Sequence, residues 1–191
     1  MALILLQPGT TTIFGTNKNT WPPEPGWLNQ LNEQDRLTLG KQPCFELLSL
    51  QHGMQQQLSN DVSNSARTSG RPVITPFTCV KKLDASSVKL YDYFLRAEPL
   101  GKSIEEPTRI FMYNNQGGKM VKTMTFFLRD ALITEIELQT LSDDLPTEQF
   151  KLDFTEIIWE YTVPAASESA NTISSGWSVA RNRPIGGSFS K

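Results

Sequence analysis

Histidine and cysteine are scarce in this sequence, and their scarcity excludes several kinds of active site. The 191 residues include one histidine, His52, and two cysteines, Cys44 and Cys79, which lie far apart. These residues form neither a Cys-x-x-Cys motif nor a set of zinc ligands. Histidine is the commonest general base, but no acid or nucleophile accompanies His52 in the sequence. We therefore expect a structural histidine, and we predict no catalytic residue, no metal site and no cofactor.

Long hydrophobic runs are also missing. No apolar run approaches the roughly 20 residues of a helical membrane span, so we expect no membrane insertion. The opening run 1–6 lacks a basic start and stops at Gln7, which is not typical of a signal peptide. We expect synthesis and folding in the cytoplasm, so that secretion would need a route without a signal peptide. In that compartment Cys44 and Cys79 are more simply interpreted as buried free thiols, with a disulfide left open.

An excess of charge of one sign is the third absence. The chain has 18 basic and 20 acidic residues, which gives a formal net charge of −2. This balance argues against nucleic acid as a partner, because such binding depends on neutralising phosphates. Near pairs of carboxylates lie in predicted turns or on a polar strand face, where nothing apolar would separate their pKa values. These pairs are Glu105 with Glu106, Glu135 with Glu137, and Asp143 with Asp144.

What the sequence does contain is alternation of apolar and polar residues, the pattern of half-buried strands. Strands are predicted over 44–58, 73–83, 109–113 and 120–128, with a glycine-containing hairpin turn at 114–118. One apolar face of a long strand or a strand pair is predicted from residues of one parity, namely Met124, Phe126, Leu128, Leu132, Ile136 and Leu138. The second half of the chain is therefore expected to be strand after strand.

The alternation changes phase within 147–163. The apolar residues are first Phe150, Leu152 and Phe154, and then Ile157, Trp159, Tyr161 and Val163. Because strand side chains alternate with period two, this change requires a bulge or bend near Thr155-Glu156. Such a bend turns a corner in a barrel or a two-sheet sandwich. A last strand with Ile173, Trp177 and Val179 follows.

One helix is predicted over 85–97, with Asp84 as its N-cap. Val88, Tyr91, Phe94 and Leu95 recur at helical spacing and predict one apolar stripe, and Pro99 and Gly101 end the helix. Two polar segments interrupt the strands. The long irregular segment 9–43 holds Trp21 and Trp27 and a possible short helix over 27–37, and the segment 59–72 is predicted to project as a flexible loop.

These elements predict a single domain over 1–191 of the mainly β class. The expected architecture is a small antiparallel β-barrel or two-sheet sandwich with one flanking helix. Such folds protect their edge strands by closure or by pairing with another chain. With no catalytic set in the sequence, assembly or binding is the expected function.

Three stretches resemble the Hcp family, the tube-forming proteins of bacterial type VI secretion systems. The first, 77–87, is similar to the family's strand that leads through a Lys-x-Asp-x-Ser turn into its single helix. The second, 145–161, resembles its long late strand, with a lead-in at 132–134. The third is Gly176-Trp177-Ser178 with Asn182, similar to the family's closing strand. The resemblance covers about 44–185, and the segment 9–43 is a longer N-terminal insertion than the family's usual link.

The resemblance implies a homohexameric ring, and rings that stack into a tube driven out of the cell by a contractile sheath. It implies sheath and spike proteins and secreted effectors carried in the lumen as partners. The subunit would be cytoplasmic when assembled and then secreted to the extracellular space. It further implies that the loop 59–72 reaches the neighbouring ring and that 9–43 decorates the outer surface or the contact between rings. The residues expected at ring and stacking contacts are Asn60, Asp61, Asn64, Arg67, Thr68, Trp159, Tyr161 and Trp177.

Two other functions remain open at this point. A monomeric β-sandwich that binds a ligand or a carbohydrate would need an apolar pocket with convergent polar groups. A toxin variant would place its activity in 9–43, but that segment contains neither histidine nor cysteine. The identity of any cargo and the residues that line a lumen do not follow from the sequence.

Overall fold

A computed structural model of the chain describes residues 2–14, 29, 31–39, 43–56, 58–59, 68–101, 104–140, 145–163 and 171–189. The strands are β1 (Ala2–Gln7), β2 (Phe45–Leu47), β3 (Ser49–Gln51), β4 (Met54–Gln55), β5 (Leu58–Ser59), β6 (Thr68–Ser69), β7 (Val73–Ile74), β8 (Phe77–Lys82), β9 (Thr108–Gln116), β10 (Lys119–Arg129), β11 (Leu132–Gln139), β12 (Thr147–Asp153), β13 (Glu156–Thr162), β14 (Thr172–Ser178) and β15 (Arg183–Pro184). The helices are a 3-10 turn (Thr12–Phe14), α1 (Glu33–Leu39) and α2 (Ser87–Leu95). The chain is mainly β, as predicted.

The strands form two sheets that face each other across one core. The larger sheet has seven strands in the order β15-β14-β13-β10-β9-β1-β2, and the smaller has four in the order β11-β12-β8-β3. Neighbouring strands are antiparallel throughout both sheets. Two short ladders, β4 with β7 and β5 with β6, extend from the smaller sheet. The hairpin predicted at 114–118 joins β9 to β10, and Gly117 and Gly118 take the positive φ values that its turn requires.

Three chain segments pass from one sheet into the other and tie the two layers together. β2 continues into β3 through Leu48, and β10 continues into β11 through Asp130, which has a φ of 50°. β12 continues into β13 through Phe154 and Thr155. The change of phase in the sequence therefore marks a corner between the sheets, and this prediction is confirmed.

The core lies between the inner faces of the two sheets. Its fully buried members include Leu6, Phe77, Leu90, Ile110, Leu128, Phe150, Leu152 and Ile157. A second apolar cluster covers the opposite face of the larger sheet, where Leu31 and Leu39 pack with Leu5, Phe111 and Tyr113. Residues 31–39, which belong to the segment 9–43 predicted as an insertion, thus pack against the larger sheet, with α1 overlapping the helix predicted over 27–37. Trp21 and Trp27 lie outside the described residues.

The predicted apolar stripe of the helix is right only in part, since Phe94 packs against the core but the stripe as a whole is out of phase. Val88 and Leu95 are 70% and 80% exposed, whereas Ser87, Leu90 and Tyr93 are buried. The reason is Ser87, a polar residue whose hydroxyl is bonded inside the protein, which turns the helix away from the phase that hydrophobicity alone indicates. The Tyr93 hydroxyl is also engaged, by a hydrogen bond with the Thr12 hydroxyl.

Two further details of the strand predictions need correction. The face predicted from Met124 to Leu138 divides between β10 and β11, which belong to different sheets, and a bulge shifts the register near Ile133. Ile133 is buried there instead, and Leu138 is 56% exposed because β11 is an edge strand. The strand predicted over 44–58 is four short strands, since the chain crosses between sheets and then leaves the body.

The prediction that Asp84 is the N-cap of α2 was wrong by two residues. The N-cap is Ser86, which makes no side-chain capping bond. Asp84 Oδ1 instead accepts a hydrogen bond from the Ser86 backbone N–H at 2.8 Å, within the turn that precedes the helix.

Candidate assembly surface

The three aromatic residues predicted at an interface lie on one face of β13 and β14. Ile157 is opposite Trp177 and Tyr161 is opposite Ile173, so Trp159 shares their face by alternation. We call Trp159, Tyr161, Ile173 and Trp177 the β13–β14 patch. Trp159 and Trp177 are half-buried against the core, while Tyr161 and Ile173 are 45% and 66% exposed. The inner apolar surface of the larger sheet therefore continues outward from the core to solvent.

A groove of about 500 Å³ opens beside this patch. Trp159 and Trp177 form one wall, and Met54, Pro72 and Ile74 form the apolar part of the other. Its polar lining is Gln56, Arg71 and Asn182. Arg71 Nη2 donates to the Val179 carbonyl at 2.7 Å, a bond between segments that are distant in sequence.

We call residues 54–74 the arm. Its base is the β4–β7 ladder, in which Met54 is opposite Ile74, and the next rung is the β5–β6 ladder, in which Ser59 is opposite Thr68. Thr68, predicted at a stacking contact, is thus in β6. Asn60, Asp61, Asn64 and Arg67, predicted for the same contact, lie outside the described residues. The structure brings the base of the arm next to the β13–β14 patch.

His52 lies at the root of the arm, between β3 and β4. Its Nδ1 is 3.0 Å from the carbonyl oxygen of Thr75, which can only accept, so Nδ1–H is the donor. The ring stacks on Phe77 with centroids 4.0 Å apart and planes inclined by 9°. Phe126 and Phe154 also lie near the ring, with centroids 6.4 and 6.1 Å away, and the side chain is half-buried. Burial lowers the pKa of His52, against a smaller opposing effect of the Thr75 bond.

The sequence analysis missed a buried polar network where β8 meets α2. Lys81 Nζ lies 2.7 Å from Glu148 Oε1, and both side chains are almost completely buried. The Ser87 hydroxyl donates to Glu148 Oε1 at 2.6 Å, and Lys81 also pairs with Asp84 at 3.1 Å. The sequence does carry the signal, since Lys81, Asp84 and Ser87 are spaced by three residues. The Lys-x-Asp-x-Ser turn of the resemblance contains Lys82, Asp84 and Ser86. The buried contacts are made instead by the adjacent residues Lys81 and Ser87.

The two cysteines are held as protonated, unreactive thiols. Burial raises the pKa of Cys44 to about 12, and burial also raises the pKa of Cys79. Both are buried free thiols, as expected. Glu135 is engaged by Lys151 at 2.7 Å, while Glu105 and Glu137 are exposed. Asp143 and Asp144 lie outside the described residues.

Within the described ranges, no three His, Cys, Asp or Glu side chains gather as metal ligands do. No helix in the part of the chain that the structure describes has the length and apolarity needed to cross a bilayer. The surface feature that stands out is therefore the β13–β14 patch with the adjacent arm.

Solved structures of similar fold include Hcp proteins. Hcp1 from Salmonella typhimurium superposes with a TM-score of 0.64 at 15% identity, covering 96% of this chain and 99% of that chain. A structure described as a type six secretion system protein gives 0.70 at 15% identity, covering 97% and 100%. The secreted protein Hcp3 from Pseudomonas aeruginosa gives 0.51 at 14% identity, covering 91% and 97%. At these identities the likeness establishes the fold.

The family follows from the sequence itself. Residues 38–161 match the model of the type VI secretion system effector Hcp family, which is more than half of the chain. No curated protein matches the chain closely in sequence. The chain belongs to the Hcp family.

Proposed function

We propose that this chain is a structural subunit of the inner tube of a type VI secretion system. Six copies would form a ring, and rings would stack into a tube that carries effectors in its lumen. The observation that carries the proposal is the β13–β14 patch, an apolar surface continuous with the core and open to solvent. Exposed apolar patches of this kind mark protein–protein contacts.

The contact within a ring is heterologous, because each copy must present two different surfaces for the rotation to close. We assign the β13–β14 patch to one of these surfaces. Stacking between rings falls to the arm, including Asn60, Asp61, Asn64, Arg67 and Thr68. The short ladders of the arm have little of their own to bury, so contact with another copy would stabilise it.

The proposed partners are further copies of the chain, the sheath and spike proteins of the apparatus, and secreted effectors. The subunit is cytoplasmic while assembled and is secreted with the tube. No enzymatic activity is proposed, because both cysteines are held as thiols by their raised pKa and Glu135 is paired with a lysine.

Native mass spectrometry with negative-stain imaging of the purified protein tests the proposal. We expect a six-fold species and a ring with a central hole at micromolar concentration. A protein that stays monomeric up to about 100 µM, well above the concentrations at which stable interfaces assemble, would overturn it.

A second candidate, a ligand- or carbohydrate-binding module, is favoured by one observation. The groove places Trp159 and Trp177 with Arg71, Gln56 and Asn182, which is an aromatic wall with convergent polar groups. Titration with a panel of soluble oligosaccharides tests it. Saturable binding to a monomer that is lost in Trp177→Ala would favour this function over the tube.

A further inference from the structure

The root of the arm is fastened to the body around Thr75, in addition to the bond that Arg71 makes further along the arm to the Val179 carbonyl. The Thr75 N–H donates to the Gly53 carbonyl at 2.9 Å, and the Gly53 N–H donates to Thr75 Oγ1 at 2.9 Å. These bonds join the segment that leads into the arm to the segment that leaves it. The bond from His52 Nδ1–H to the Thr75 carbonyl differs, because its donor ring is half-buried and stacks on Phe77 of the core. The imidazole therefore links the arm to the core.

The state of that ring depends on one proton. With Nδ1–H bonded to Thr75, the neutral ring has its lone pair on Nε2, which is buried without a hydrogen-bond partner among the described residues. Protonation would put an N–H donor and a positive charge at Nε2. The aromatic side chains around the ring, Phe77, Phe126 and Phe154, have no oxygen to accept from it. A buried donor and charge without a partner are costly, so the protonated ring is expected to leave its site.

We propose that His52 is an acid-sensitive lock at the root of the arm. The neutral imidazole holds Thr75 and the arm against the core, and the imidazolium releases them. The consequence for stacking of rings rests on the proposed function, but the release itself is a property of the single chain. The chain has no other histidine, so no second imidazole contributes to the response.

The charged groups on the surrounding elements are engaged elsewhere. On β8, Lys81 is bonded to Glu148 at 2.7 Å, and at the corner after β12 the Asp153 carboxylate accepts the Phe154 N–H at 2.8 Å. At the end of β10, Arg129 is paired with Glu156 at 3.1 Å. Burial and the Thr75 bond are accordingly the causes that act on the His52 pKa.

The direction of the pH effect follows from these contacts. Burial holds the pKa of His52 in the closed state below its ordinary 6.5. In the open state the ring is in water and regains about that ordinary value. The closed state is therefore fully favoured above pH 6.5 and loses its advantage as the pH falls through the lower, closed-state pKa.

Amide hydrogen exchange of the full chain between pH 7.5 and pH 5 tests the lock, after correction for the intrinsic pH dependence of exchange. We expect the protection of residues 52–56 and 73–77 to fall by about threefold or more, because protonation of His52 favours the open state. Protection of β9 and β10 should stay constant across the same range. An NMR titration of the sole histidine should give a midpoint below 6.5. Constant protection at the root, or a midpoint at or above 6.5, would overturn the proposal.

Two variants separate the effect of His52 from that of the carboxylates in the chain. His52→Phe keeps an aromatic ring in the stack but has no donor for Thr75 and cannot take up a proton. His52→Asn keeps a donor and also cannot be protonated. We expect neither to show the pH step, and His52→Phe to exchange faster at the root at every pH. A step of wild-type size in either variant would assign the effect to other groups and refute the lock.

The lock and the tube fail in different ways. If wild-type root protection falls with pH but the protein never forms rings, the lock stands and the proposed function does not. If rings form while the protection of the root stays constant, the proposed function stands and the lock does not. Where both are correct, stacks of rings should shorten below the midpoint for the wild type and keep their length for His52→Asn.

Discussion

At the scale of single residues, the junction of β8 and α2 carries the strongest prediction. Lys81 and Glu148 are charged and almost fully buried, and they are 2.7 Å apart. Removing one partner of such a pair leaves an uncompensated charge in the core, which costs about 3–5 kcal/mol. We therefore expect Glu148→Gln to lower the free energy of unfolding by that amount in urea denaturation.

The same substitution on the surface provides the control. Glu135 pairs with Lys151 at the same distance, but both side chains are more than a third exposed. Glu135→Gln should cost no more than about 1 kcal/mol, since solvent screens an exposed pair. Equal losses in the two variants would contradict the interpretation of Glu148 as a buried anchor of the helix.

The two thiols give a second prediction at this scale. Because burial raises the pKa of Cys44 to about 12 and that of Cys79 as well, the reactive thiolate is absent near neutral pH. We expect both to resist a disulfide reagent at pH 8 in the native protein and to react within minutes in 6 M guanidinium chloride, on the order of a concentration that unfolds ordinary domains. Rapid labelling of the native protein would show that one of them is accessible.

At the scale of elements, the phase of α2 is open to direct test. Leu90 is fully buried and Leu95 is 80% exposed, although both lie on the same nine-residue helix. We expect Leu90→Ala to cost about 2–5 kcal/mol, as for buried leucines in general. Leu95→Ala should change the stability by about 0.5 kcal/mol or less. Thermal unfolding of the two variants measures the difference, and a larger loss for Leu95→Ala would contradict the observed phase.

Elements with a strong hydrophobic period were predictable, and those set by a polar contact were not. The corner at Thr155 followed from the parity of Phe154 and Ile157 alone, because period two leaves no other way to bury both. The phase of α2 was missed because Ser87 is buried through its bonds to Lys81 and Glu148, partners distant along the chain. For the same reason the site was predicted only in part: Trp159 and Trp177 were identified, but the groove depends on Arg71 and Met54 from the arm.

At the scale of the whole molecule, the tube proposal makes stability depend on the amount of protein. A ring binds the folded chain and not the unfolded one, so mass action raises the melting temperature with concentration. We expect Tm to rise by about 2–4 °C for each kcal/mol that assembly contributes to a chain of this size. A monomeric binding module would melt at the same temperature from about 1 to about 100 µM. For a protein that assembles, this hundredfold range changes the stabilising free energy by up to about 2.7 kcal/mol, which is large enough to detect.

The β13–β14 patch is the feature through which this dependence should act. Tyr161→Asp puts a charge on a side chain that is 45% exposed in the single chain and would be covered in a ring. We expect the variant to fold, to run as a monomer in native mass spectrometry, and to lose the concentration dependence of Tm. Leu37→Asp is the matched control, because Leu37 is 62% exposed on α1, whose segment packs on the other face of the same sheet. That control should form rings as the wild type does. Rings of wild-type stability in Tyr161→Asp would exclude the patch from the contact, because a buried, unpaired carboxylate at a protein interface costs several kcal/mol.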